Sequence, residues 1–176
     1  MISLPVLFWM YVIMFALIGA MRGWAKEILV TSGVIVAIFL VTILETFVPF
    51  LRSDATSVST FWVRMVILIL MVFFAYQSPK IPRNIDNQKF VRDRFEDILL
   101  GCFIGGVNGF MIFGTAWYYL QDAGYPFTWI SAPDLLTEAG QSAVGLLEIL
   151  PPMWLQPPLM YIAVALAFVF ILVVFI

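Results

Sequence analysis

AKEILVTSGVIVAIFLVTILETFVPF, residues 25–50, decides the medium in which this chain folds. Between Glu27 and Glu45 it carries no charged side chain. Its length exceeds the roughly 20 residues a helix needs to cross about 30 Å of hydrocarbon. Four more stretches share this character: Ile2–Met21, Val58–Tyr76, Ile98–Leu120 and Leu159–Ile176. Apolar residues make up 63% of the chain and the mean hydropathy is +1.04, far above the norms for water-soluble domains. The sequence therefore predicts an all-α integral membrane protein with five transmembrane helices.

With 176 residues and five spans, little chain remains for a water-soluble domain. Three parts are expected: a four-helix membrane domain over 1–120, an outer loop over 121–157 and a fifth span over 158–176. The N-terminal stretch has no basic flank and no A-x-A cleavage site, so it reads as a retained span rather than a signal peptide.

Charge placement gives a topology. Arg22 and Lys26 fall between the first two spans, and Lys80, Arg83, Lys89, Arg92 and Arg94 between the third and fourth. The gap between spans two and three holds Arg52 alone, and Gln121–Pro158 has no Lys or Arg. Odd gaps are basic and even gaps are not. The positive-inside rule then places the N-terminus outside and the C-terminus in the cytoplasm. Tyr118, Tyr119, Tyr125, Trp129 and Trp154 gather at the outer boundary, where amphipathic rings settle.

Composition also excludes chemistry. The chain has no histidine, hence neither the commonest metal ligand nor a usual haem ligand. Its single cysteine, Cys102, allows no internal disulfide and reads as a small buried hydrophobe. No base, paired carboxylates or phosphate loop accompanies the serines and threonines, so no catalytic group and no cofactor is expected. A net charge of −2 gives no footprint for nucleic acid.

Between the spans, Arg22-Gly23-Trp24-Ala25-Lys26-Glu27 must reverse the chain, and Gly23 supplies the backbone freedom. Glu27 can pair with Lys26 or with Arg22. Lys89–Asp93 and Arg92–Glu96, spaced i,i+4, predict a short surface helix leading into span four. In the outer loop, Ser131 as N-cap, Pro133 in the first turn and a leucine–alanine stripe from Leu135 to Leu150 predict an amphipathic helix over 131–150. Its charges are all acidic, which suits contact with this protein's own spans or another subunit better than a lipid surface.

Within the membrane, Gly101, Gly105 and Gly109 recur at i, i+4 and i+8 on span four. Such a ridge lets a neighbouring backbone approach closely, on this chain or another. Asn108 lies about 16 Å beyond Asp97 along the helix and needs a partner at that depth, as interhelical glue or as a ligand contact. Glu45, near the end of span two, and Arg64, near the start of span three, share a depth. An intramembrane ion pair is the expected outcome, with a proton or substrate relay the other reading.

Two motifs carry a family resemblance. Arg22-Gly23-Trp24-Ala25-Lys26-Glu27 resembles the R-G-aromatic-x-basic-E turn of the colicin V production protein (CvpA) family. Asp97-Ile98-Leu99-Leu100-Gly101, followed by Gly105 and Gly109, resembles that family's D-x-x-L-G-x-x-x-G-x-x-x-G start of its fourth helix. The resemblance covers residues 1–120. It implies a bacterial inner-membrane protein linked to toxin production or export and envelope stress. Asn108 stands where family members often carry a basic residue, and the fifth span is an addition.

The functional expectation is a non-catalytic scaffold or accessory subunit of a larger membrane complex; the alternative is a component of toxin export or small-solute transport. Expected partners are lipids and other integral membrane proteins, whether of a respiratory, photosynthetic or secretion complex.

Overall fold

The computed structural model describes residues 3–48, 57–77 and 94–175. Every regular element among them is a helix: α1 Leu4–Arg22, α2 Trp24–Phe47, α3 Val58–Tyr76, α4 Arg94–Asp122, α5 Glu138–Glu148, α6 Pro151–Trp154 and α7 Leu159–Phe175. Helix α1 to α4 are each long and apolar enough to cross a membrane. Helix α7 is also apolar but shorter, 17 residues or about 26 Å, at the low end of the length that can span hydrocarbon. The surface helix expected from Lys89 and the gap around Arg52 lie outside the described residues; α4 is already helical at Arg94.

Helices suit this composition because each satisfies its own backbone, which hydrocarbon cannot do. The hydroxyls of α2 follow the same logic. Ser32, Thr42 and Thr46 each donate to the carbonyl four residues back, at 2.8–3.0 Å. At the start of α3, Ser57 accepts from the Thr60 amide at 3.1 Å and caps the helix.

Helix α2 runs through the middle of the bundle. Val30, Val34, Ala37, Ile38 and Val41 are buried against Phe61 and Leu68 of α3, Met111 and Ile112 of α4, and Met160 and Val164 of α7. Gly33 lets α3 come close, since a Cβ there would lie 2.6 Å from that of Ala75. Helix α1 instead lies along α4, with Tyr11 stacked on Phe113 at 3.9 Å between ring centroids. At the end away from the α1–α2 turn, Phe8, Trp117, Ala143, Leu147 and Leu150 form a second cluster that fixes α5 over α1 and α4.

The helix expected over 131–150 is shorter than its sequence predicts, and α5 runs over 138–148. The Asp134 carbonyl accepts from both the amide and the hydroxyl of Thr137, at 3.0 and 2.9 Å. Thr137 in turn accepts from the Gly140 amide at 3.1 Å, so Thr137 is the N-cap and Ser131 is not. Leu135 and Leu136 therefore precede the helix and face outward, Leu136 at 92% exposure. Pro151 and Pro152 occupy the first turn of α6.

Candidate functional site

The α1–α2 turn collects most of the polar residues singled out from the sequence. Gly23 sits at φ +85°, in a region L side chains avoid, and offers no side chain to cap α2. Asp97 of α4 supplies the missing group: its Oδ1 accepts from the Trp24 amide at 3.1 Å. A carboxylate at a helix N-terminus satisfies a donor that has no partner inside the helix and also complements the helix dipole. A Cβ on Gly23 would lie 2.8 Å from Asp97 Oδ2, so the two residues require one another.

One turn deeper, Glu27 is fully buried. Arg22 Nη1 donates to its Oε1 at 2.6 Å, and Asn108 Nδ2 donates to its Oε2 at 2.8 Å and to its main-chain oxygen at 2.9 Å. Thr31 Oγ1 lies 2.7 Å from Asn108 Oδ1 and 3.1 Å from the Glu27 carbonyl, with one proton to give to either. Arg22 also caps α3. Its Nη2 donates to the Tyr76 carbonyl at 3.2 Å, and its guanidinium lies 4.3 Å from the centre of the Tyr76 ring. A cation at a helix C-terminus is favoured by the dipole as well. Lys26, the other basic residue of the turn, is exposed.

Behind this cluster the glycine ridge of α4 meets α1 of the same chain. A Cβ on Gly101 would collide with the Gly19 carbonyl, and one on Gly105 with the Phe15 carbonyl. At Gly109 it would lie 2.9 Å from both Phe15 Cβ and Val12 Cα. Gly19 is the reciprocal partner, with a built Cβ only 2.7 Å from Gly105 Cα. Backbone therefore meets backbone along about two turns, a geometry open only to residues without side chains.

A second cluster lies at the opposite end. Arg64, 6% exposed, donates from Nε to Glu45 Oε1 at 2.5 Å and from Nη1 to Asp122 Oδ2, and lies 5.4 Å from the Tyr119 ring centre. One guanidinium thereby joins α2, α3 and α4. Nearby, outside the spans, Tyr125 accepts from Trp117 Nε1 at 3.2 Å. Burial raises the Tyr125 hydroxyl above the usual tyrosine range, while the Trp117 bond acts in the other direction.

Sequence reasoning missed Gly19, Thr31, Tyr76 and Asp122. Gly19 and Gly23 form their own G-x-x-x-G across the end of α1, a signal that was available. Among the described residues, no group of three His, Cys, Asp or Glu side chains could hold a metal ion. No family model, curated protein or solved structure matches this chain.

Proposed function

We propose that this chain is a non-catalytic polytopic membrane protein that serves as a scaffold or accessory subunit of a larger membrane complex. The observation that carries this reading is how the charged groups of the spans are used. Glu27 bonds to Arg22 and Asn108, and Arg64 bonds to Glu45 and Asp122, each tying helix to helix. Charges consumed in this way rigidify a bundle and define a single arrangement of its helices.

The topology belongs to the same proposal: residence in a bacterial inner membrane, five crossings with α7 as the last, the N-terminus outside and the basic gaps in the cytoplasm. The distribution of Lys and Arg supports it. A CvpA-like identity for residues 1–120 draws support from the meeting of its two motifs, since Asp97 caps the turn that contains Gly23 and Gly101 packs on Gly19.

Native electrophoresis of mildly solubilised membranes tests the scaffold reading. A discrete assembly well above the mass of one chain is expected; a monodisperse monomer with no crosslinked neighbours overturns it. For topology, an impermeant maleimide applied to intact cells should label Gln141→Cys and spare Lys26→Cys.

A further inference from the structure

Two cavities run into one another at the end of the bundle that carries α5. The upper, about 660 Å³, lies between the first turn of α1, the segment 129–134 and α5; Ser3, Ser131, Asp134 and Thr137 give it a polar side. The lower, about 290 Å³, continues between α1 and α3 with α4 as its floor. Leu4, Leu7, Trp129 and Ile130 line both, so the two form one channel that changes from polar to apolar along its length.

The lower part is walled by aromatic rings, among them Phe8, Tyr11, Phe61, Trp62 and Phe113. It opens sideways, where Trp62 is 52% and Trp129 70% exposed. From Ser3 to Tyr11 the wall follows α1 for about 12 Å. Water gains nothing from a site so poor in polar partners, whereas a hydrocarbon chain recovers the dispersion contacts an unfilled groove forfeits.

Charge selects the headgroup. Among the described residues that line the upper cavity, Asp134 is the only charged one, and the sequence from 121 to 158 holds no Lys or Arg. A phosphate-only headgroup would face a carboxylate with no cation among the described lining residues to offset it; an ammonium would find its counter-ion. Asp134 Oδ1 accepts from the Leu136 amide at 3.0 Å, which holds this carboxylate in the cavity lining.

We propose that this channel binds one membrane phospholipid with an ammonium headgroup, its acyl chain between α1 and α3 and its amine beside Asp134. The site needs membrane residence and is independent of the scaffold reading.

Native mass spectrometry of the full chain in detergent, titrated with phosphatidylethanolamine and phosphatidylglycerol of matched acyl chains, tests this. One phosphatidylethanolamine should bind per chain, about tenfold tighter than phosphatidylglycerol, as one charge-assisted hydrogen bond would give. Asp134→Asn, in an exposed turn, should abolish that preference while keeping binding. Ala116→Trp, which fills the floor of the groove, should weaken both lipids by about tenfold. Equal binding of the two lipids by the unaltered chain, or a preference that survives Asp134→Asn, overturns the proposal. So does undiminished binding to an Ala116→Trp chain shown by its melting to be folded; if that variant does not fold, the Asp134→Asn comparison decides alone.

Discussion

Both amide hydrogens of Asn108 go to one residue, Glu27: one to its main-chain oxygen at 2.9 Å and one to its carboxylate at 2.8 Å. Two turns of different helices are thereby locked in register by a single side chain. Interhelical hydrogen bonds in membrane proteins average only about 0.6 kcal/mol, because the unfolded chain finds other partners there. Glu27 raises the stakes, since it is fully buried and held by Arg22.

Asn108→Leu removes the donor and leaves a buried carboxylate oxygen unsatisfied, which costs about 1–3 kcal/mol. Asn108→Asp should be worse, because it turns a donor into a second acceptor facing Glu27. Thermal unfolding in detergent should rank the wild type above Asn108→Leu and that above Asn108→Asp. Indistinguishable melting of the three would remove Asn108 from the lock.

The glycines of α4 differ in what a side chain would strike. At Gly105 a Cβ meets the Phe15 carbonyl and, at 2.8 Å, Gly19 Cα, all of it backbone that cannot rotate away. At Gly114 it meets Pro151 Cδ at 2.9 Å and Leu150 Cδ2 at 3.1 Å, atoms of side chains on a short, separate helix and its cap. Overpacking costs about 1–3 kcal/mol, and Gly105→Ala should sit at the upper end with Gly114→Ala nearer the lower. The same order is expected for the leucine substitutions. Equal melting shifts would mean the ridge is not the close contact.

The sequence made some of this site legible and hid the rest for identifiable reasons. The glycine ridge showed because its period matches the helix. Its partner Gly19 was legible only through its i+4 match, Gly23, which lies beyond the end of the span. Glu45 and Arg64 could be paired because a short connection folds their helices back to equal depth. Asp122, which shares the same arginine, is 58 residues from it and reads as the second residue of a loop. Thr31 carries no signal of its own in the sequence, since a helical threonine ordinarily needs nothing beyond the carbonyl four residues back. The start of α5 was misplaced because Ser131 and Thr137 both offer a capping hydroxyl six residues apart. The turn closed by Asp134 selects the second.

Arg64 bridges two carboxylates, so its loss is asymmetric. Arg64→Met strands Glu45 and Asp122 beside each other, and breaking a buried pair costs about 3–5 kcal/mol. Both acids keep roughly a third of their side-chain exposure, 30% and 34%, so water softens the penalty and the low end is expected. Combining Arg64→Met with Glu45→Gln and Asp122→Asn should restore most of the stability, since no uncompensated charge remains. A triple variant as unstable as the single one would show that Arg64 acts through its packing on Tyr119 instead.

Asp97 acts on α2 from another helix, which makes its contribution separable from the propensity of the turn itself. The bond to the Trp24 amide is solvent-exposed, so Asp97→Ala should cost about 1 kcal/mol, the ordinary value of an N-cap, rather than the larger sum of a buried ion pair. Asp97→Asn keeps the accepting oxygen and should lose less than half of that. Gly23→Ala is a different injury: it forces a Cβ onto φ +85° and onto the Asp97 carboxylate together. Its cost should fall when Asp97→Ala is added, because the second change removes the collision and leaves only the backbone strain. Amide hydrogen exchange at Trp24 reads the cap directly: it should quicken in Asp97→Ala and change little in Asp97→Asn. Unchanged protection in Asp97→Ala would show that α2 begins without help from α4.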